Sequence, residues 1–148
     1  MDKYDIHEAL PFKLMVVLGK MNKILQTKLD QHFLQFDLTS TEFMVLDALW
    51  THKKLPIQQI GTIVLITSGA ITHVLNSLIK KGYVKRSQSE EDKRVFYAEL
   101  TEEGKKFWIN FVPRHQEFMR NLFSEFDQNK LNQLTELIKE LGLYIMNR

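Results

Sequence analysis

The stretch from Ile66 to Gly82 constrains this chain most. Ile66-Thr67-Ser68-Gly69 is a tight polar break in which Thr67 or Ser68 can cap a following helix, and Gly82 stands where a C′ glycine ends one. Between them, residues 69 to 80 divide on a helical wheel. Ile71, Val74, Leu75, Leu78 and Ile79 fall together and face a core; Gly69, His73, Asn76 and Lys80 fall opposite, flanked by Thr72 and Ser77. A short helix marked by Ile57, Ile60 and Val64 precedes the break, with Pro56 suited to its first turn. Two β-like runs follow, Tyr83 to Ser87 and Val95 to Leu100, joined by the polar residues Gln88 to Lys93. The turn lacks an Asn-Gly signal, so a loose, extended loop is expected. Short helix, tight turn, second helix and hairpin make a winged helix-turn-helix.

The flanks are helical. Leu14, Val17, Leu18, Met21, Ile24, Leu25 and Leu29 recur at three- and four-residue steps within a long helix from about Glu8 to Phe33. Thr39 and Glu42 have the spacing of a capping box, and the helix they open carries Phe43, Leu46 and Leu49 and closes near Trp50. Lys53-Lys54-Leu55 reads as a loop or short extended piece. After the hairpin, Thr101-Glu102-Glu103-Gly104 starts a helix that continues through Phe107, Trp108, Phe111 and Phe118, with Pro113 expected to kink it. Asp127 can cap a last helix striped by Leu131, Leu134, Leu137, Ile138, Leu141, Tyr144 and Ile145. The expected fold is mainly α with a small β-hairpin wing. Residues 1–148 form one domain, with a winged-helix lobe at about 36–104 and long helices at about 8–34 and 105–148. Those helices carry more apolar surface than a small monomer covers, which points to a partner chain.

Charge is local. Lys80, Lys81, Lys85, Arg86, Lys93 and Arg94 oppose Glu90, Glu91 and Asp92 within fifteen residues, a net of +3 in a chain of net +2, so the remainder carries −1. A basic patch on a neutral body is the footprint of a phosphate-binding surface, although a solvated loop has the same composition. The chain has no cysteine, which excludes disulfides, thiolate metal sites and thiol switches. Five histidines (His7, His32, His52, His73, His115) show no metal-ligand spacing, and no metal or cofactor is expected. There is no Gly-rich phosphate loop, nucleophile elbow or zinc-hydrolase helix, so no catalysis is expected. With no apolar run of membrane length and a mixed N-terminus, the expected location is the cytoplasm.

The exposed face of the 69–80 helix suits a major groove. Ser68, Gly69 and Ala70 let the backbone approach closely; free amides there can bind a phosphate oxygen. Asn76 can pair bidentately with adenine, Thr72 can meet a thymine methyl or a polar base edge, and His73 can donate to a base or phosphate. Lys80, Lys85, Arg86 and Lys93 can neutralise phosphates. Arg94 at the hairpin tip can enter a narrow minor groove, and Asp92 can hold either Arg94 or Arg86 in place. Glu90 and Glu91 are expected to point outward. The same fold could instead bind a protein without specific DNA recognition. Phe43, Trp50, Phe107 and Trp108 suit either an effector pocket or aromatic core packing.

The run ITSGAITHVLNSLIKKG from Ile66 to Gly82, with Lys80 to Arg86, Asp92 with Arg94, and Leu100 to Gly104, resembles the MarR family of multiple-antibiotic-resistance-type regulators. The likeness covers nearly the whole chain in element order and is most specific from Leu65 to Trp108. It implies a homodimer interlocked by its first and last helices, with one recognition helix and one wing per subunit. It implies a pseudo-palindromic DNA operator, Thr72 in the recognition helix, and Asp92–Arg94 as the wing-tip pair. It also implies repression relieved by a small aromatic or anionic effector, bound between the dimer arms and the DNA-binding lobe. Ser89-Glu90 stands where Asp-Pro is common in relatives, a departure expected to loosen the wing.

Overall fold

In the computed structural model, residues 9–148 are described, and they form two compact units, residues up to Phe111 and Val112–Arg148. The first unit opens with α1 (Leu10–Leu34), then α2 (Ser40–His52), β1 (Lys54–Pro56), α3 (Ile57–Ile63), α4 (Ser68–Lys80), β2 (Val84–Gln88) and β3 (Phe96–Leu100). Helix α5 (Glu102–Phe123) begins in the first unit and ends in the second, which α6 (Gln128–Met146) completes. Glu8, the expected start of the first helix, lies outside the described residues.

The capping box forms as its spacing predicts. Thr39 Oγ1 accepts from the Glu42 amide at 3.1 Å, and Glu42 Oε2 accepts from the Thr39 amide at 2.9 Å. Helix α2 runs two residues past Trp50 and stops at Lys53, which has φ 68°. The extended piece after it becomes a third strand, which the hairpin reading did not anticipate. The sheet order is β1-β3-β2, all antiparallel, with Leu55 and Arg86 both opposite Ala98. Pro56 therefore closes an edge strand rather than sitting inside the helix. It takes the N-cap position of α3, where a missing N–H breaks no ladder.

Helices α3 and α4 both end in a Schellman arrangement. At α4, Gly82 (φ 80°) donates to the Ile79 carbonyl at 2.9 Å and Tyr83 to the Leu78 carbonyl at 3.0 Å. At α3, Leu65 (φ 56°) donates to Thr62 at 3.4 Å and Ile66 to Gly61 at 3.0 Å. The hairpin is then tied to α5. Thr101 donates through its amide to the Tyr83 carbonyl (3.0 Å) and through its hydroxyl to the Gly82 carbonyl, while the Gly104 amide donates to Thr101 Oγ1 at 2.9 Å. This explains the Leu-Thr-x-x-Gly sequence: a Cβ on residue 104 would stand 2.0 Å from the Tyr83 carbonyl oxygen.

The core of the first unit is built from Val45, Leu46 and Leu49 of α2, Ile60 of α3, Ile71, Leu75 and Leu78 of α4, and Leu55, Val84, Ala98 and Leu100 of the sheet. Each fully buried aliphatic contributes about 1.5–3 kcal/mol. An aromatic cluster extends it. Phe43 stacks between Phe33 (4.9 Å) and Trp108 (5.6 Å), Phe36 meets Phe111 edge-on (4.9 Å), and Phe107 stacks on Tyr83 (4.4 Å). Ile79, expected in the core, is 37% exposed; it lies at the margin of the buried stripe.

Glu42 is the buried charge of this unit, 3% exposed. Ser77 Oγ donates to its Oε1 at 2.6 Å and Lys81 Nζ to its Oε2 at 3.0 Å; Lys81 also donates to the Asp37 carbonyl. One carboxylate thus joins the start of α2 to the end of α4. Burial pushes the Glu42 carboxyl up, but hydrogen bonds from Ser77, the Thr39 amide and Lys81, with the Lys81 charge, together hold it below the usual carboxylate range.

In the second unit, α5 runs unbroken across Pro113, Asp127 caps α6 by accepting from the Lys130 amide at 2.8 Å, and no residue of α6 is buried. No single helix among the described residues is long and apolar enough to cross a membrane.

Gly104→Ala should destabilise the protein by about 1–3 kcal/mol in urea unfolding, because backbone must move to admit the methyl group. Ser77→Ala should cost about 1–3 kcal/mol in the same assay by leaving a buried carboxylate oxygen short of a donor. Because Glu42 titrates lower when folded, its contribution is present above the unfolded value of about 4.3 and lost as pH falls through the lower folded one. Unfolding free energy measured from about pH 6 down to pH 3 should fall, and fall less steeply in Glu42→Gln.

Candidate nucleic-acid interface

Helix α4 has two faces because its sequence has two. Burial of Ile71, Leu75 and Leu78 leaves Gly69, His73, Asn76 and Lys80 exposed, as the wheel requires. Thr67 caps the helix, accepting from the Ala70 amide at 3.3 Å, and Ser68, Gly69 and Ala70 are exposed in the first turn. Thr72 is exposed, but its hydroxyl donates to the Ser68 carbonyl at 3.2 Å. That leaves the oxygen as an acceptor, with the methyl beside it. Ser77, placed by the wheel at the edge of the polar face, turns inward to Glu42.

The wing is tied down more firmly than its sequence suggests. Ser89 Oγ accepts from the amides of Glu91 and Asp92, both at 3.3 Å, and the Ser89 amide donates to Val95 at 2.9 Å. The Val95 amide donates to Asp92 at 2.9 Å, and Gln88 Nε2 to the Lys93 carbonyl at 2.5 Å. The expected loose, extended loop is therefore a hydrogen-bonded turn. The serine found where Asp-Pro was expected supplies two of its bonds. Glu90, Glu91 and Lys93 are exposed on it.

Asp92 holds Arg94, not Arg86. Its Oδ1 accepts from Arg94 Nε (3.1 Å) and from the Arg94 amide (3.0 Å), and its Oδ2 from Arg94 Nη2 (3.2 Å). The Arg94 hydrogen bonds lower the Asp92 pKa. This grip occupies two of the five guanidinium N–H groups and leaves three to donate outward. Arg86 is ordered differently, with its guanidinium 3.9 Å from the Phe96 ring centroid.

Ser68, Thr72, Arg86 and Arg94 line one groove of about 530 Å³, whose apolar wall includes Pro56, Ile57, Ile66, Ile71 and Phe96. Helix α3 adds Gln58 and Thr62, which the sequence reading passed over. Their signal was available: they are polar positions among Ile57, Ile60 and Val64. Lys85 is set apart. Alternation along β2 puts it on the other side of the sheet from Arg86, directly across from Glu99, to which it pairs at 3.2 Å. There it lines a separate depression with Trp50, Lys53 and Lys105. Among the described residues no group of His, Cys, Asp or Glu could hold a metal ion.

A family model described as "MarR family" matches residues 38–96. The chain is 38% identical over 142 residues to the HTH-type transcriptional regulator SarZ of Staphylococcus aureus, covering 96% of this chain and 93% of that protein. It is 32% identical over 131 residues to the HTH-type transcriptional regulator MhqR of Bacillus subtilis, covering 88% and 90%. A crystal structure of a mutant MarR from E. coli complexed with operator DNA has the same fold, with TM-score 0.80, 22% identity and coverage of 91% and 96%. The buried and exposed faces of α4, the Asp92–Arg94 wing and the relatives' shared character agree: this chain belongs to the MarR family of DNA-binding, helix-turn-helix transcriptional regulators.

Proposed function

We propose that the protein is a cytoplasmic homodimeric repressor of a pseudo-palindromic operator in duplex DNA, released by a small aromatic or anionic effector. The observation that carries the DNA reading is the common groove of Ser68, Thr72, Arg86 and Arg94, where the start of α4 meets the wing. In this reading α4 enters the major groove. Ser68, Gly69 and Ala70 permit close approach, and Thr72, His73 and Asn76 meet base edges. Lys80, Arg86 and Lys93 meet phosphates, and Arg94, held by Asp92, enters the flanking minor groove.

The dimer reading rests on apolar faces that each unit leaves open. In α1, Val17, Met21 and Ile24 are exposed, Ile24 at 60%; in α6, Leu134, Leu137, Ile138 and Ile145 are exposed, Leu137 at 63%. Apolar stripes of this length call for a partner, and a second copy sets two recognition helices about one DNA turn apart, roughly 10 bp. In this reading the lobe is about 36–104, and the helices at about 8–34 and 105–148 make the dimer. The groove's two arginines above an apolar wall suit a small aromatic anion that would compete there with DNA, a different place from the effector site that the family resemblance implies.

The test is binding of the purified protein to its own promoter, against an unrelated duplex, across a salt series. Preference for the promoter with a symmetric footprint supports the reading; equal binding to both duplexes at every salt concentration sinks it. Arg94→Ala should weaken promoter binding by roughly tenfold or more, lower the salt slope by about one, and leave the melting temperature unchanged.

A further inference from the structure

The turn between α3 and α4 contains a residue that the fold does not explain. The left-handed position that ends α4 is Gly82, whereas the equivalent position that ends α3 is Leu65, at φ 56°. A side chain bearing a Cβ is strained there, which is why glycine dominates this position of the motif. Burial could offset the strain, but Leu65 is 90% exposed, the most exposed large apolar side chain among the described residues. Backbone and solvent therefore both favour glycine at 65. A strained, solvent-facing leucine is explained by something outside the fold.

Its position identifies the occupant. Leu65 lies between Ile63, itself exposed, and Ile66, which lines the groove with Ser68 and Arg94. It stands three residues before the first residue of α4, continuous with the face argued above to meet DNA. A duplex offers apolar surface in its deoxyribose rings and thymine methyls. We propose that Leu65 is a DNA-contact residue, packing on a sugar or thymine methyl beside the recognition helix and adding affinity that no charged group supplies. The inference rests on the DNA-binding reading and deepens it.

The experiment compares Leu65→Gly, Leu65→Asn and Leu65→Met with the unmodified chain on its own promoter DNA, across the same salt series. Thermal melts and sedimentation accompany the binding curves. Glycine and asparagine both accept the left-handed backbone, so those variants should melt no lower than the parent. They should bind the promoter about tenfold more weakly with an unchanged salt slope, because no phosphate-binding charge is lost. Leu65→Met, which keeps the apolar contact, should bind within about threefold of the parent. Parental affinity in the Gly and Asn variants would overturn the contact. So would an equal loss in all three, which would make the turn itself the cause. Dissociation into monomers would assign Leu65 to the contact between copies instead. If the parent shows no promoter preference, the DNA-binding reading fails first and takes this contact with it.

Discussion

The division of α4 into a buried and an exposed face is the constraint on which the rest of the lobe depends. Ile71, Leu75 and Leu78 must leave water, and α4 packs against α2, α3 and β2. Once that face is seated, the rotation of the helix is fixed to within a residue. Gly69, His73, Asn76 and Lys80 then face solvent as a consequence of core packing. A polar face so fixed is presented without further backbone rearrangement, so the conformational cost of a contact there falls on its side chains.

Polar contacts refine what the apolar core sets. Glu42 serves two structures at once: its capping-box oxygen satisfies the start of α2, and its bonds to Ser77 and Lys81 hold the last turn of α4. A buried carboxylate with this many donors specifies register more sharply than an aliphatic side chain would, because few rotations satisfy all of them. The wing follows the same logic at the surface. Ser89, Gln88 and the Asp92–Arg94 pair each remove freedom from a seven-residue turn that has almost no apolar packing of its own. The pair adds little to stability in exposed surroundings, so its value is orientation of the guanidinium.

Family membership and the surface of the first unit are consistent at the level of chemistry. Arg94 retains three donors, Arg86 is stacked on Phe96, and the exposed residues in the first turn of α4, Ser68, Gly69 and Ala70, are all small. The apolar stripes of α1 and α6 stand outside that account. Each is a regular helical face that its own unit does not bury.

The sequence by itself determined the order of the six helices and the hairpin, the inward and outward faces of α4, the capping box, the Gly82 stop and the charged wing. These depend on periodicity and on residues with restricted backbone preferences, both of which act over a few neighbours. Tertiary structure alone decided that Lys54–Pro56 pairs with β3, that Ser77 turns in to Glu42, and that Ile79 lies at the core margin. It also decided that Asp92 grips Arg94 rather than Arg86, and that Lys85 lies across the sheet from the groove. Those outcomes involve partners far apart in the chain, or a choice between two local partners that only the pleat and twist of a formed sheet resolve. Leu65 shows the limit from the other side. Nothing about a leucine in sequence signals a left-handed backbone, and its conformation was legible only once the hydrogen bonds of the turn were in place.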